Sequence, residues 1–285
     1  EGMSYFNALC HTFTTVATGG FSTLDASIGG FNSPIIEYTI IVFMILGGLS
    51  FLFMLDIIDG KLQNARRNLE WKVYIFLLIL GSIVITAAVQ DNFDCSLSDC
   101  FRMALFQVTS IVTTTGFATT DYDLLVPVVH VLLLIAMLMG ACSGSTAGGV
   151  KLIRVIAMLR ISVFQIEKSF RPRLIKELRV GRKILSESLQ ASILSYILLA
   201  TGLTMLSMVI IALIENDLSF EGVVSTTVAC LFNIGPGFAE VGPAKNFAFL
   251  TDGTKLFLSM LMILGRLEFF ALLAIFSPAF WKRFS

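Results

Sequence analysis

The chain has 285 residues, 56% of them hydrophobic, with 25 phenylalanines and a mean hydropathy of +0.85. Its 20 basic and 20 acidic side chains cancel and are too few to cover a soluble surface of this size. The composition excludes an ordinary soluble globule and is that of an integral membrane protein with lipid as its surroundings. No nucleic-acid partner is expected.

In chain order, Glu1 opens "EGMSYFNALCHTFTT", which has neither the basic region nor the apolar core of a cleaved signal peptide. The sequence is therefore expected to start inside a longer protein or to depend on an earlier span. Apolar stretches follow at about 35–55, 73–89, 126–140, 189–214 and 255–276. Most are near the roughly 20 residues a helix needs to cross a bilayer, so five spans are predicted. Of the basic residues, four lie from Lys61 to Lys72, ten from Lys151 to Lys183, and Lys282 and Arg283 end the chain. These segments are predicted to face the cytoplasm. The opposite connections, "QDNFDCSLSDC" at 90–100, "TTDYD" at 119–123 and "ENDLSFE" at 215–221, are acidic or neutral and are predicted to face outward.

An internal repeat organises these segments. A polar, glycine-containing apex occurs as "TTVATGGFST" at 14–23, "VTTTGFATTD" at 112–121 and "LFNIGPGFAE" at 231–240. Each apex follows an amphipathic segment of about 12 to 15 residues, too short to span, and precedes a full apolar stretch. The predicted unit is helix, re-entrant half-helix, extended loop, helix, with the leading helix absent from the first copy. Units are expected at 1–60, 61–183 and 184–285, the middle one including the basic segment. A loop at membrane depth is tolerated only where it is buried in protein or lines a wet cavity. Extended Thr, Gly and Asn backbone presents carbonyl oxygens that replace the water shell of a monovalent cation, and the short helices aim their negative ends at it. A divalent site would want carboxylates, and none sits within the three apices. Asp121, Asp123 and Glu240 follow just after and are expected to concentrate cations at an outer mouth.

The stretch "GACSGSTAGGVK" at 140–151 interrupts an apolar run. Gly140, Gly144, Gly148 and Gly149 lower helix propensity there, while Ser143, Ser145 and Thr146 satisfy freed backbone groups. A phosphate-binding loop is rejected, because Lys151 does not directly follow the second glycine of a G-x-x-x-x-G pair and no Ser or Thr follows it. Arg266 falls about 11 residues into the last predicted span, roughly 16 Å along it, near mid-membrane. Two readings stand for it: a functional charge in a pathway, or a structural ion pair with Glu268 or another buried partner.

The motifs "GGFSTLDASIG", "TTTGFATTD", "CSGSTAGGVKLIRV", "NIGPGFAEVGP" and "GRLEFFALLAIFSPAFWKR" together resemble the Trk/Ktr/HKT superfamily of potassium transporters, most closely its bacterial TrkH-type membrane subunits. The resemblance covers essentially the whole sequence. It implies an all-α polytopic membrane fold of helix–pore loop–helix repeats around a pseudo-fourfold cation pathway, in a bacterial inner membrane. The sequence would supply the second to fourth repeats, lacking the first repeat and the first helix of the second, and three quarters of a filter ring does not enclose an ion. The resemblance places filter carbonyls at Thr18, Gly19 and Gly20, at Thr114, Thr115 and Gly116, and at Asn233, Ile234 and Gly235, with potassium as the ligand. Ala17 is an alternative start to the first set, because the Gly-Gly pair leaves the register open by one residue. The resemblance also makes 140–149 a gate below the filter, with Arg266 projecting beneath as an electrostatic barrier that hydrogen-bonds the gate. A homodimer and a cytoplasmic nucleotide-binding regulatory subunit are implied as partners. No cofactor is implied in this chain. A sodium-selective, or sodium- or proton-coupled, relative remains the alternative.

The remaining candidates are structural. Cys95 and Cys100 flank an outer turn and either pair in an oxidising compartment or stay as loop cysteines. Cys10, Cys142 and Cys230 are expected as small apolar packers, and His11 and His130 as packing or hydrogen-bonding residues. The basic stretch 151–183 reads as a cytoplasmic face that also suits a partner or anionic lipid. No paired carboxylates, histidine-rich metal site or Ser-His pair is suggested within the spans, so an intramembrane enzyme is not expected.

Overall fold

A computed structural model describes residues 2–90, 95–172, 177–181, 183–267, 269–276 and 281. Glu268, Lys282, Arg283 and part of the expected outer connection after Gln90 lie outside the described residues. The described structure is mostly helical. The repeats begin with α1 (Tyr5–Val16), α2 (Pro34–Gly48), α3 (Phe51–Ile58) and α4 (Leu62–Arg67). The middle of the chain forms α5 (Leu69–Gln90), α6 (Leu97–Val112), α7 (Pro127–Leu138) and α8 (Leu152–Phe170). A two-residue antiparallel hairpin, β1 (Arg179–Val180) with β2 (Lys183–Ile184), follows, and Arg160 donates from α8 to the Arg179 carbonyl. The last part forms α9 (Glu187–Ile214), α10 (Phe220–Leu231), α11 (Asp252–Arg266) and α12 (Phe269–Phe276).

Among the described residues, α5, with 22 residues, and α9, with 28, are unbroken helices apolar enough to cross a membrane, and α2 with α3 makes a third if the bent pair is one span. Of the five expected spans, α5 and α9 are continuous helices. The stretch 35–55 divides into α2 and α3, which meet at 98°. The stretch 126–140 yields a helix that ends at Leu138, and within 255–276 α11 ends at Arg266. Glycine accounts for the first break, since Gly47 and Gly48 end α2 where Leu and Ile on either side raise the average hydropathy.

The spanning helices are apolar on every side, as lipid demands. Along α5, Tyr74, Leu78, Ile85 and Val89 are buried against Ala104, Val108 and Ile111 of α6 and Leu133 of α7. Phe76, Ile79 and Ile83 of the same helix stay exposed. In a soluble protein that exposure would be costly; in hydrocarbon it costs nothing.

The three short helices share one construction. Ser4, Ser96 and Ser219 cap α1, α6 and α10, each accepting a bond from the amide three residues on. Glu240 reinforces the last cap, accepting from the Ser219 amide at 3.2 Å and its hydroxyl at 2.9 Å. At α6, Arg102 reaches Glu37 of α2 at 2.8 Å and Asp99 at 2.7 Å. The Ser96 hydroxyl, and then Arg102, hold the Asp99 carboxyl below its usual range. Cys95 and Cys100 are joined as a disulfide across the start of α6, with Cα atoms 5.8 Å apart, so the paired alternative is the one realised.

Two of these caps have a double role: the Ser96 hydroxyl also donates to Asp99 at 2.6 Å, as that of Ser219 does to Glu240. Ser96→Ala and Ser219→Ala should each cost about 2 kcal/mol, whereas Ser4→Ala removes the capping bond alone and should cost about 1 kcal/mol. Thermal unfolding of the purified protein in detergent would measure all three; a shift for Ser4→Ala as large as the other two would contradict the double roles.

Candidate functional site: the nested apices and the interrupted segment

Each short helix ends in the same Schellman motif. The amides of Thr18, Thr114 and Asn233 donate to the carbonyls three residues back, at 3.1, 3.0 and 3.3 Å. The next amides, of Gly19, Thr115 and Ile234, donate to the carbonyls five back, at 2.7, 2.9 and 2.8 Å. Thr18, Thr114 and Asn233 are left-handed, with φ of 50°, 53° and 58°, and the glycines two positions on have φ of 68°, 86° and 109°. Ala17 is right-handed and still belongs to the helix end, as Thr113 does in the second copy. The three apices therefore align as 18–20, 114–116 and 233–235, and Ala17 falls outside the shared pattern.

The apices nest. A β carbon on Gly20 would lie 1.8 Å from the Thr115 carbonyl oxygen, and one on Gly116 would lie 2.1 Å from the Ile234 carbonyl oxygen. Glycine is required at both positions by contact as well as by φ. The third member, Gly235, would meet nothing within 4 Å. Further out, the Gly29 amide donates to the Ala118 carbonyl, and the Ala118 amide to the Ser27 hydroxyl, both at 3.2 Å. Asp123 ties the second apex to the third by accepting from the Ala239 amide at 3.2 Å.

The interrupted segment between α7 and α8 sits against this ring from one side. The Gly148 amide donates to the Thr114 hydroxyl at 2.6 Å, and a β carbon on Gly148 would meet the Phe232 carbonyl at 2.6 Å. The segment also pairs with the break between α2 and α3. Cys142 and Thr146 donate amides to Gly48 and Gly47 carbonyls at 3.1 and 3.3 Å, and Phe51 donates to the Gly144 carbonyl at 2.9 Å. Its base is closed by Gly140 donating to the Val150 carbonyl at 2.8 Å, beside Gly149. Ser145 folds back on the Cys142 carbonyl at 2.6 Å, and Thr146 adds a hydroxyl bond to Gly47. Lys151 donates to the Ala147 carbonyl. Glu70, from the start of α5, accepts from Ser143 and Ile153.

One expectation needs correction. Among the described residues no hydrogen bond joins Arg266 to the interrupted segment; it ends α11 and donates to the Ala17 carbonyl at 3.4 Å. At the outer connections Glu240 accepts from Ser219 and Asp123 from the Ala239 amide. Burial, then Asp121, pushes the Asp123 carboxyl above its usual range, against the lowering effect of the Ala239 amide. The histidines are hydrogen-bonding residues as expected: His11 bonds the Asn7 carbonyl and Ser22, and His130 meets Glu221 at 3.0 Å and the Tyr122 carbonyl at 2.9 Å. Among the described residues, no group of three or more His, Cys, Asp or Glu is placed to hold a metal ion.

Glu70, Gly47 and Gly48 were not singled out from the sequence. The Gly-Gly pair inside an apolar run was an available signal, being the same one that marks residues 148 and 149. Glu70 offered none, since a carboxylate beside a basic segment at a helix start is ordinary.

A family model described as TrkH, a cation transport protein, matches residues 1–283. The chain is 32% identical over 287 residues to the Trk system potassium uptake protein TrkH of Salmonella typhimurium, covering 99% of this chain and 58% of that protein. It is 33% identical over 285 residues to the Trk system potassium uptake protein TrkG of Escherichia coli K12, covering 99% and 57%. The crystal structure of the potassium transporter TrkH from Vibrio parahaemolyticus matches with a TM-score of 0.90 and 31% identity, over 98% of this chain and 60% of that one. The chain thus spans less than two thirds of the length of these relatives.

The nesting predicts that Gly20→Ala and Gly116→Ala each destabilise the protein by about 1–3 kcal/mol, through left-handed strain and collision with a carbonyl. Gly202→Ala, inside α9 with nothing within 4 Å, should be neutral or stabilising by up to about 1 kcal/mol. Comparative melting in detergent separates them, and equal behaviour of all three variants would contradict the nested arrangement.

Proposed function

The chain belongs to the TrkH family of cation transport proteins, and on that premise we propose that it forms part of a potassium uptake pathway in a bacterial cytoplasmic membrane. The observation that carries this reading is the threefold recurrence of one backbone shape, nested copy on copy. Carbonyls of Thr18, Gly19 and Gly20, of Thr114, Thr115 and Gly116, and of Asn233, Ile234 and Gly235 line the ion path, and backbone oxygen replaces the water shell of potassium. The short helices add their partially negative ends on the same axis, which favours a cation without a carboxylate. A fourth loop of the same shape, seated against Gly235, completes the ring; the relatives are long enough to supply one.

The interrupted segment, with Gly140, Gly144, Ser145, Thr146, Gly148 and Gly149, closes the path below the apices. Its contact with Thr114 supports this reading, because a segment bonded to the ring of apices cannot leave the path without breaking that bond. Arg266 places a fixed positive charge beside the end of α1, where it opposes cation passage whether or not it touches the segment. The protein works as a homodimer with a cytoplasmic nucleotide-binding subunit, and the basic surface of α8 and the β1–β2 hairpin is the face that subunit meets. This is transport and not enzymatic chemistry.

Rubidium flux into liposomes holding the full-length protein, with sodium as competitor, tests the reading. Gly116→Ala and Gly235→Ala should each lower rubidium flux or its preference over sodium by about tenfold or more. Arg266→Ala should raise flux on the order of tenfold by removing a local barrier. Flux indifferent to both glycines would sink the filter, and sodium carried in place of rubidium would replace potassium as the substrate.

A further inference from the structure

Glu70 is a buried carboxylate, 6% exposed, at the second position of α5. A carboxylate leaves water only when its oxygens find donors. Its Oε1 accepts from the Ser143 amide at 2.7 Å and from the Ile153 amide at 3.2 Å. Ser143 lies within the interrupted segment, and Ile153 lies just beyond it. Ile153 lies in the first turn of α8, whose N-cap residue, Lys151, provides no side-chain cap of its own. Glu70 therefore does for α8, from another helix, what an N-cap residue ordinarily does from within. Its negative charge suits the positive end of that helix.

The placement of Glu70 is itself fixed. Its amide is held by the Asn68 side chain at 2.9 Å, and one turn later Tyr74 is buried beside Gly48 at the α2–α3 break. One oxygen thus ties the segment, and the start of the helix that follows it, to a helix long and apolar enough to span the membrane. We propose that Glu70 is the positioning residue of the interrupted segment: by clamping Ser143 and Ile153 together it keeps Gly148 against Thr114 and the segment in its closed place. The proposal rests on the reading of that segment as the closure of the cation path.

The test uses full-length protein in liposomes and two readouts. One is rubidium flux; the other is the rate at which a small maleimide modifies Cys142, buried next to Ser143, with Cys142→Ser as background. Glu70→Ala should raise both by about tenfold, the weight of one charge-assisted bond. Glu70→Gln keeps an acceptor oxygen and should restore both to within about threefold of the parent, whereas Glu70→Met, of similar length but without that oxygen, should stay as open as the alanine variant, which a general loss of packing would not do. Glu70→Asp keeps the charge but is too short to serve both amides, and should resemble the alanine variant. Unchanged labelling in Glu70→Ala overturns the proposal, and so does a Gln variant as open as the Ala one. Faster labelling with unchanged flux supports the clamp and refutes the segment as the barrier, so the two failures are told apart. Should Glu70→Ala not fold, the contrast between Asp and Gln decides: opening in Asp alone supports the clamp, and equal behaviour overturns it.

Discussion

The structure depends on a mutual debt between two broken helices. At membrane depth an amide or carbonyl without a partner costs several kcal/mol, yet α2 stops at Gly48 and α7 stops at Leu138. Each break is tolerable because the other stands beside it. Gly47 and Gly48 offer carbonyls, Cys142 and Thr146 offer amides, and Phe51 returns a bond to Gly144. Neither interruption would be stable alone. The geometry of the first repeat unit is thereby coupled to the second through backbone, with side chains from Glu70 and Thr146 fixing the exchange in place.

The same logic explains an unusual residue choice at the apices. A Schellman motif normally places glycine at its left-handed position, and a β-branched residue with positive φ is strained. The first two apices nevertheless use threonine there. For Thr114 the structure gives a reason: its hydroxyl is the acceptor for the Gly148 amide. A glycine would relax the helix end but leave a buried amide of the interrupted segment without its partner. Strain in one element is balanced by a bond to another. For Thr18 the hydroxyl bonds only the neighbouring Ala17 carbonyl, and no comparable reason is visible.

What could be read from the sequence was local and repeated. The apices were legible because three copies of one small-residue pattern fell at equivalent points, and even their register follows once the left-handed positions are known. The interrupted segment was legible because four glycines in twelve residues overwhelm any helix preference. The break after Gly48 was not, since averaging over flanking Ile, Leu and Phe hid a two-residue signal. The partner of Arg266 and the bonds of Glu70 were out of reach for another reason. They join residues far apart in the chain, Arg266 to Ala17 and Glu70 to Ile153, and depend on how whole helices are placed.

The nesting of the apices has a direction. Gly20 and Gly116 each rest on the carbonyl of the copy that follows, so the joints are head-to-tail, and a head-to-tail series either closes on itself or winds into a spiral according to the turn made at each joint. The bore of such an assembly is therefore set by the joints and not by the side chains that face it. A displacement of a few tenths of an ångström at Gly20 or Gly116 changes the turn, and with it the spacing of every oxygen around the axis. On the proposed reading, in which these oxygens line the ion path, the ability to tell one ion radius from another shares its atoms with the cohesion of the repeats.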